Sequence, residues 1–147
     1  MLSRRQKQRF WLLIAFIILT YAASQYQPEQ KTAPVNNTTS EIVDLFQAKR
    51  SDIQVEVSGR VIQLLPDDND GSRHQRFIIE LTAGHTLLIA HNIDLAPRID
   101  TLKVGDEVSI FGEYEWNNKG GVVHWTHHDP DNRHPHGWIR HQDQLYQ

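Results

Sequence analysis

The sequence contains no cysteine among its 147 residues. This absence excludes disulfide bonds, thiolate metal sites, cysteine nucleophiles and CxxC redox chemistry. The chain also lacks a basic excess, because 15 Lys and Arg face 18 Asp and Glu, and residues 10–147 carry 11 basic against 18 acidic residues, a net charge of −7. A domain that holds phosphate backbones through its charge is expected to have the opposite sign. The composition therefore disfavours nucleic acid as a partner.

No apolar run reaches the length of about 20 residues that crosses a bilayer comfortably. The uncharged run at residues 10–23, FWLLIAFIILTYAA, has 14 residues and follows four basic residues with no acid before it. This layout is typical of a signal peptide or an N-terminal anchor. We favour an uncleaved, membrane-spanning anchor over residues 1–24, since no strong A-x-A cleavage site follows. Cleavage near Ala22–Ser24 is the alternative, and a buried helix of a soluble domain is a third reading.

The basic N-terminus predicts which side of the membrane the rest of the chain occupies, because positive flanks stay in the cytoplasm. We expect a single-pass protein of the bacterial inner membrane, with its N-terminus cytoplasmic and its domain periplasmic, or a protein secreted to the periplasm if the segment is cleaved. Residues 25–37 are polar, contain two prolines and predict a linker. The folded domain is expected over residues 38–147.

Hydrophobic periodicity predicts a mainly β domain. A capping box at Thr38–Glu41 is followed by a short helix ending near Arg50. Apolar and polar residues then alternate in five short strands, and Gly59 predicts a bend in the first. No alternating βαβ pattern is present. We predict a five-stranded, partly open barrel of the OB type with a short N-terminal helix, and a small sandwich is the alternative. The strands are expected near residues 53–65, 73–82, 85–91, 108–114 and 122–126.

The second and third strands are predicted to form a hairpin with one face in the core. Phe77, Ile79 and Leu81 share that face. Leu88 and Ala90 are expected to face them from the third strand. The outward face then carries His74, Arg76, Glu80, His85 and His91.

Six of the nine histidines fall between His124 and His141. The segment GGVVHWTHHDP at residues 120–130, followed by His134-Pro135 and Gly137-Trp138-Ile139, resembles a bacterial family of unknown function, DUF3465. The resemblance covers roughly residues 41–147. It implies a short, single-domain, often exported protein that ends in a hairpin, and it brings no established activity.

The turn at residues 117–120 sets a predicted pairing between the last two strands of the barrel. In that register His124 lies opposite Glu113, both outward, and the carboxylate is expected to raise the pKa of His124. Trp125 then faces inward beside Gly112, where the missing side chain leaves room for an indole. Trp125 and Trp138 are expected to be structural.

A transition-metal site, for zinc or copper, is the sharper hypothesis for the histidine-rich segment. His124 and His128 cannot share an ion on an extended strand, since four residues span ~13 Å at ~3.3 Å per residue. A turn after Asp129 would instead gather the candidate ligands His127, His128, Asp129, His134 and His136. The alternative is that these histidines bond to backbone and acidic groups around the tryptophans.

Three functions follow, and the sequence favours binding over catalysis. The first is a membrane-tethered extracytoplasmic binding module that uses the histidine segment or a ligand face. The second is a metal-dependent hydrolase with the same His/Asp loop. The third, an oligonucleotide-binding domain, is disfavoured by the charge and by the lack of stacking aromatics on its expected face. The candidate ligand face comprises His74, Arg76, His91, Glu113 and His124.

Overall fold

The computed structural model describes residues 39–82 and 84–147. The predicted anchor at residues 1–24 and the linker at residues 25–37 lie outside these residues. No helix within the described ranges is long and apolar enough to cross a membrane. The elements are α1 (Thr39–Gln47), β1 (Ile53–Leu64), β2 (His74–Glu80), β3 (Thr86–Asn92), β4 (Glu107–Glu115), β5 (Val122–His124), β6 (Trp138–His141) and β7 (Gln144–Tyr146).

The first five strands form a small barrel that closes in the order β1-β2-β3-β5-β4-β1. β3 and β5 are parallel, and the other pairs in this ring are antiparallel. The mainly β fold, with one short helix among the described residues, confirms the predicted class, and the strand order is consistent with an OB-type barrel. The barrel is closed, however, where a partly open one was predicted.

Closure depends on the length and bend of β1. Its first part, Ile53–Arg60, pairs with β4, and its second part pairs with β2. A register shift between Val61 and Gln63 turns the strand from one neighbour to the other. Such a bulge increases local bend and twist, which lets a single strand belong to two sides of a small barrel.

The inward side chains of all five barrel strands form one core, and α1 covers it with Ile42, which is fully buried. The helix is fixed at its end by Trp116, whose indole N–H donates to the Phe46 carbonyl at 3.0 Å. The predicted inward residues of β4, Val108, Ile110 and Tyr114, are all buried. The alternation in that strand therefore predicted its orientation correctly.

The predicted inward face of β3 was wrong by one residue. Phe77 pairs with Ile89, and Ile79 pairs with Leu87, so Leu88 and Ala90 face outward. The run Leu87-Leu88-Ile89-Ala90 is apolar on both faces, and for this reason alternation could not choose between them.

β5 and β6 lie along the same edge of β4, because β1 occupies the other edge. β5 pairs with Glu113–Glu115, and β6 pairs with Val108–Phe111. The thirteen residues 125–137 between them leave the sheet as a loop, here called the histidine loop. β6 and β7 then form the terminal hairpin that the family resemblance implied.

Candidate functional site

Two carboxylates and one imidazole meet on the outer surface of the barrel where β4 lies beside β5. Glu113 and Glu115 are two residues apart on β4, so both point to the same face of the sheet. His124 of β5 lies directly opposite Glu113, as predicted. One ligand atom from each of these three side chains lies within 4.8 Å of the other two. We call Glu113, Glu115 and His124 the triad.

Burial favours the neutral form of the His124 imidazole. Its burial lowers the pKa, and this effect outweighs Glu113 and Glu115, which act in the opposite direction. The predicted rise in the pKa of His124 was therefore wrong. That prediction treated the ion pair as exposed and did not account for the loss of water around the ring. Nε2 lies 3.6 Å from Glu113 Oε1 and is buried without a hydrogen-bond partner among the described residues.

The two oxygens of Glu113 have different surroundings. Oε1 faces His124, whereas Oε2 accepts hydrogen bonds from His134 Nε2 at 2.7 Å and from Gln54 Nε2 at 3.2 Å. The Trp125 indole stacks on the His134 imidazole, with ring centroids 4.2 Å apart and planes inclined by 14°. Two donors, His134 and Gln54, therefore hold one side of the Glu113 carboxylate, and Trp125 supports His134.

The histidine loop owes its shape to Asp129. Its buried carboxylate accepts hydrogen bonds from the backbone N–H groups of Asp131 at 3.0 Å, Arg133 at 2.6 Å and His134 at 2.7 Å. These bonds, led by that from Asp131, lower the pKa of the Asp129 carboxyl and keep it ionised. The ends of the loop meet where the Gly137 N–H donates to the His127 carbonyl at 2.9 Å. Asp129 is thus engaged by the backbone of its own loop.

The five predicted loop ligands do not converge as a set in the described part of the chain. His127 is buried, with Nδ1 2.7 Å from the His128 carbonyl oxygen, and His136 Nδ1 accepts the Asp129 N–H at 3.0 Å. The exposed His128 meets His136 edge-on, with ring centroids 4.6 Å apart. His127, His134 and His136 thus bond to backbone or acidic groups, whereas His128 contacts His136. Of the five, His134 contacts the triad.

The residues of the predicted ligand face do not all lie on one face, because the register of β3 differs from the predicted one by one residue. His74 and Arg76 lie on the outer side of β2, where His74 contacts the Ser72 carbonyl and Arg76 donates to the Pro66 carbonyl. His91 was predicted outward and is instead fully buried. Glu113 and His124 are the two members that the triad contains.

Trp125 was predicted to face inward beside Gly112, and this was also wrong. β5 ends at His124, and Trp125 adopts a φ of 53° that turns its side chain onto the histidine loop. The side chain of Thr126 takes the space at Gly112, with Cγ2 at 3.0 Å from the position of an added Cβ. An alternating pattern cannot reveal such a change in chain direction.

Sequence reasoning missed Glu115 and Gln54 as members of the site. Glu115 had a usable signal, since it follows Glu113 by two residues on a strand whose orientation was predicted correctly. Gln54 could not be found, because its approach to Glu113 depends on the pairing of β1 with β4, a contact between residues 59 positions apart.

Comparison with known proteins gives a family and no activity. The search of curated proteins found no match. The family model for the protein of unknown function DUF3465 matches residues 27–147, which is most of the chain. That match includes the triad, the histidine loop and the terminal hairpin. The chain belongs to the DUF3465 family.

Proposed function

We propose that this protein is a membrane-tethered, extracytoplasmic module that binds a divalent transition-metal ion at the triad. One observation carries the proposal: two carboxylates and a neutral imidazole present their ligand atoms within 4.8 Å of one another. Ligands that bind zinc at about 2 Å lie within about 4 Å of each other, so small side-chain movements suffice to close the set.

The donor set favours zinc over soft ions. Imidazole nitrogen and carboxylate oxygen are both ordinary zinc ligands, whereas Cu(I) prefers thiolate and thioether sulfur. The chain has no cysteine, and its single methionine is Met1. Burial also favours the neutral form of the His124 imidazole, which is the form that binds a metal ion. Three protein ligands leave at least one coordination position for water or for a group from another molecule.

The outer surface of the barrel supports binding of a cation better than binding of an oligonucleotide. The carboxylates of Glu113 and Glu115 repel phosphate groups, and residues 10–147 carry a net charge of −7. The outward side chains at the centre of β2 and β3 are Arg76, Ile78, Leu88 and Ala90, without an aromatic ring for base stacking. These features argue for a metal ion as the ligand.

Calorimetric titration with Zn²⁺ tests this function. We expect the full chain, purified in mild detergent without a histidine tag, to bind one ion at pH 7.5. Glu115→Gln is expected to weaken binding by more than about 100-fold, because loss of a direct ligand exceeds the 10–100-fold effect of an outer-shell partner. Glu107→Gln is the matched control, since Glu107 is on the same strand and pairs with Arg60 outside the triad.

Two results would contradict the assignment of ligands. Absence of stoichiometric binding to the unmodified chain rejects the function itself. Binding that survives Glu115→Gln but is lost in the double variant His128→Gln/His136→Gln places the ion in the histidine loop instead. Zinc-dependent hydrolysis of test esters or phosphodiesters that is abolished by Glu115→Gln would support the alternative function, a metal-dependent hydrolase. A metal ion with bound water can generate a nucleophile near pH 7.

The location of the domain is testable with reporter fusions. The basic N-terminus followed by an apolar run predicts export of everything after residue 24. A reporter that is active only outside the cytoplasm, fused after Gln147, is expected to be active. The matched fusion to a reporter that works only in the cytoplasm is expected to be silent. The reverse pair of results would overturn the proposed topology.

A further inference from the structure

We infer that the histidine loop is a latch on the metal site: His134 fixes the Glu113 carboxylate for the ion, and the bound ion in turn holds the loop closed. This inference deepens the proposed function and rests on it. His134 is a positioning residue here, because it reaches the ion through Glu113.

The first step concerns the orientation of Glu113. A free carboxylate on a strand surface rotates among several rotamers, and binding must restrict it to one. Here Oε2 is held by His134 at 2.7 Å, with Gln54 as a second donor at 3.2 Å. Oε1 is left facing His124 Nε2 at 3.6 Å. Metal sites commonly orient ligating carboxylates through such outer hydrogen bonds.

The second step concerns what holds His134. The Asp129 carboxylate accepts its backbone N–H at 2.7 Å, and the Trp125 indole covers the face of its ring at 4.2 Å. Trp125 directly follows His124 in the chain, so the ring that stacks on His134 is attached next to a triad residue. The loop therefore leaves the sheet beside one ligand and returns an imidazole to another.

The third step is thermodynamic. If the closed loop strengthens metal binding by some factor, the metal must favour the closed loop by the same factor. The outer-shell role predicts a factor of roughly 10–100. A loop that only packed against the barrel would show no such dependence on the ion.

Two substitutions at one position separate the donor from the stack. His134→Phe keeps an aromatic ring for Trp125 and removes the hydrogen bond to Glu113. His134→Gln keeps an N–H donor of similar reach and loses the stack. We expect His134→Phe to weaken Zn²⁺ binding by about 10–100-fold, and His134→Gln to restore most of that loss. His128→Phe is the matched control, because His128 is exposed in the same loop and contacts His136.

Amide hydrogen exchange of the full chain gives the reciprocal readout. The N–H groups of Arg133 and His134 bond to Asp129 and are protected while the loop is closed. Saturating Zn²⁺ is expected to slow their exchange by the same 10–100-fold factor in the unmodified chain and not in His134→Phe. Zinc binding with unchanged exchange, or equal affinity in His134→Phe and His128→Phe, overturns the latch while the metal site stands. Failure of the unmodified chain to bind Zn²⁺ overturns both.

Discussion

Gly137→Ala is expected to lower the free energy of unfolding by about 3 kcal/mol, at the upper end for overpacking a dense site. An added Cβ would overlap the Trp125 carbonyl oxygen and lie 2.7 Å from the Phe111 carbonyl oxygen and 2.8 Å from Thr126 Cα. All three are backbone atoms of the sheet or of the root of the histidine loop, so no side chain can rotate away. Chemical denaturation of the variant and the unmodified chain measures the difference.

The same substitution should also weaken Zn²⁺ binding, because Gly137 closes the loop that presents His134. Gly71→Ala is the control: nothing lies within 4 Å of an added Cβ at Gly71, and its φ of 72° is the only restriction there. There the left-handed conformation alone costs about 1–2 kcal/mol. A Gly137→Ala variant no less stable than Gly71→Ala would mean that the loop root is not packed as described.

The parts of the fold predicted well are those where one face of a strand differs clearly from the other. β4 alternates apolar and polar residues through Val108, Ile110 and Tyr114, and its orientation followed directly. The pairing of Glu113 with His124 was also predicted, because a short turn of known residue types fixes the register of the two strands it joins. Local rules sufficed in both cases.

The histidine loop could not be predicted by such rules. Its route depends on a change of backbone direction at Trp125 and on the Asp129 carboxylate, which binds three N–H groups within its own loop. The number of histidines and acidic residues in this segment suggests metal ligands. It does not distinguish an acid that organises backbone from one that is free to bind an ion, because both are the same residue type.

His91 provides the second large effect, a loss of stability in mild acid. It is fully buried, Nδ1 lies 2.8 Å from the Thr126 hydroxyl, and Nε2 lies 3.1 Å from the Pro97 carbonyl oxygen. A neutral ring satisfies both partners by donating from Nε2 and accepting at Nδ1. Burial lowers the pKa of His91 from 6.5 to about 4, despite the hydrogen bond to Pro97, which acts to raise it.

The sign of the effect follows from where the proton binds. Below pH 6.5 the unfolded chain protonates His91, whereas the folded protein resists protonation until about pH 4. The contribution of His91 to the free energy of unfolding is therefore fully present above pH 6.5 and is lost as the pH decreases towards 4. A pKa difference of 2.5 between 6.5 and about 4 corresponds to about 3 kcal/mol over that window.

Denaturation curves at several pH values between 7 and 4, without added metal, measure this loss. His91→Gln removes the titrating group and is expected to flatten the pH dependence by about 3 kcal/mol, whatever its absolute stability at pH 7. His128→Gln is the control, since it removes an exposed histidine and leaves His91 in place. The remaining seven histidines are present in both variants, so the comparison isolates the contribution of His91. A parallel slope in His91→Gln and the unmodified chain, or a His91 pKa near 6.5 by NMR titration, would show that the ring takes up its proton without unfolding the barrel.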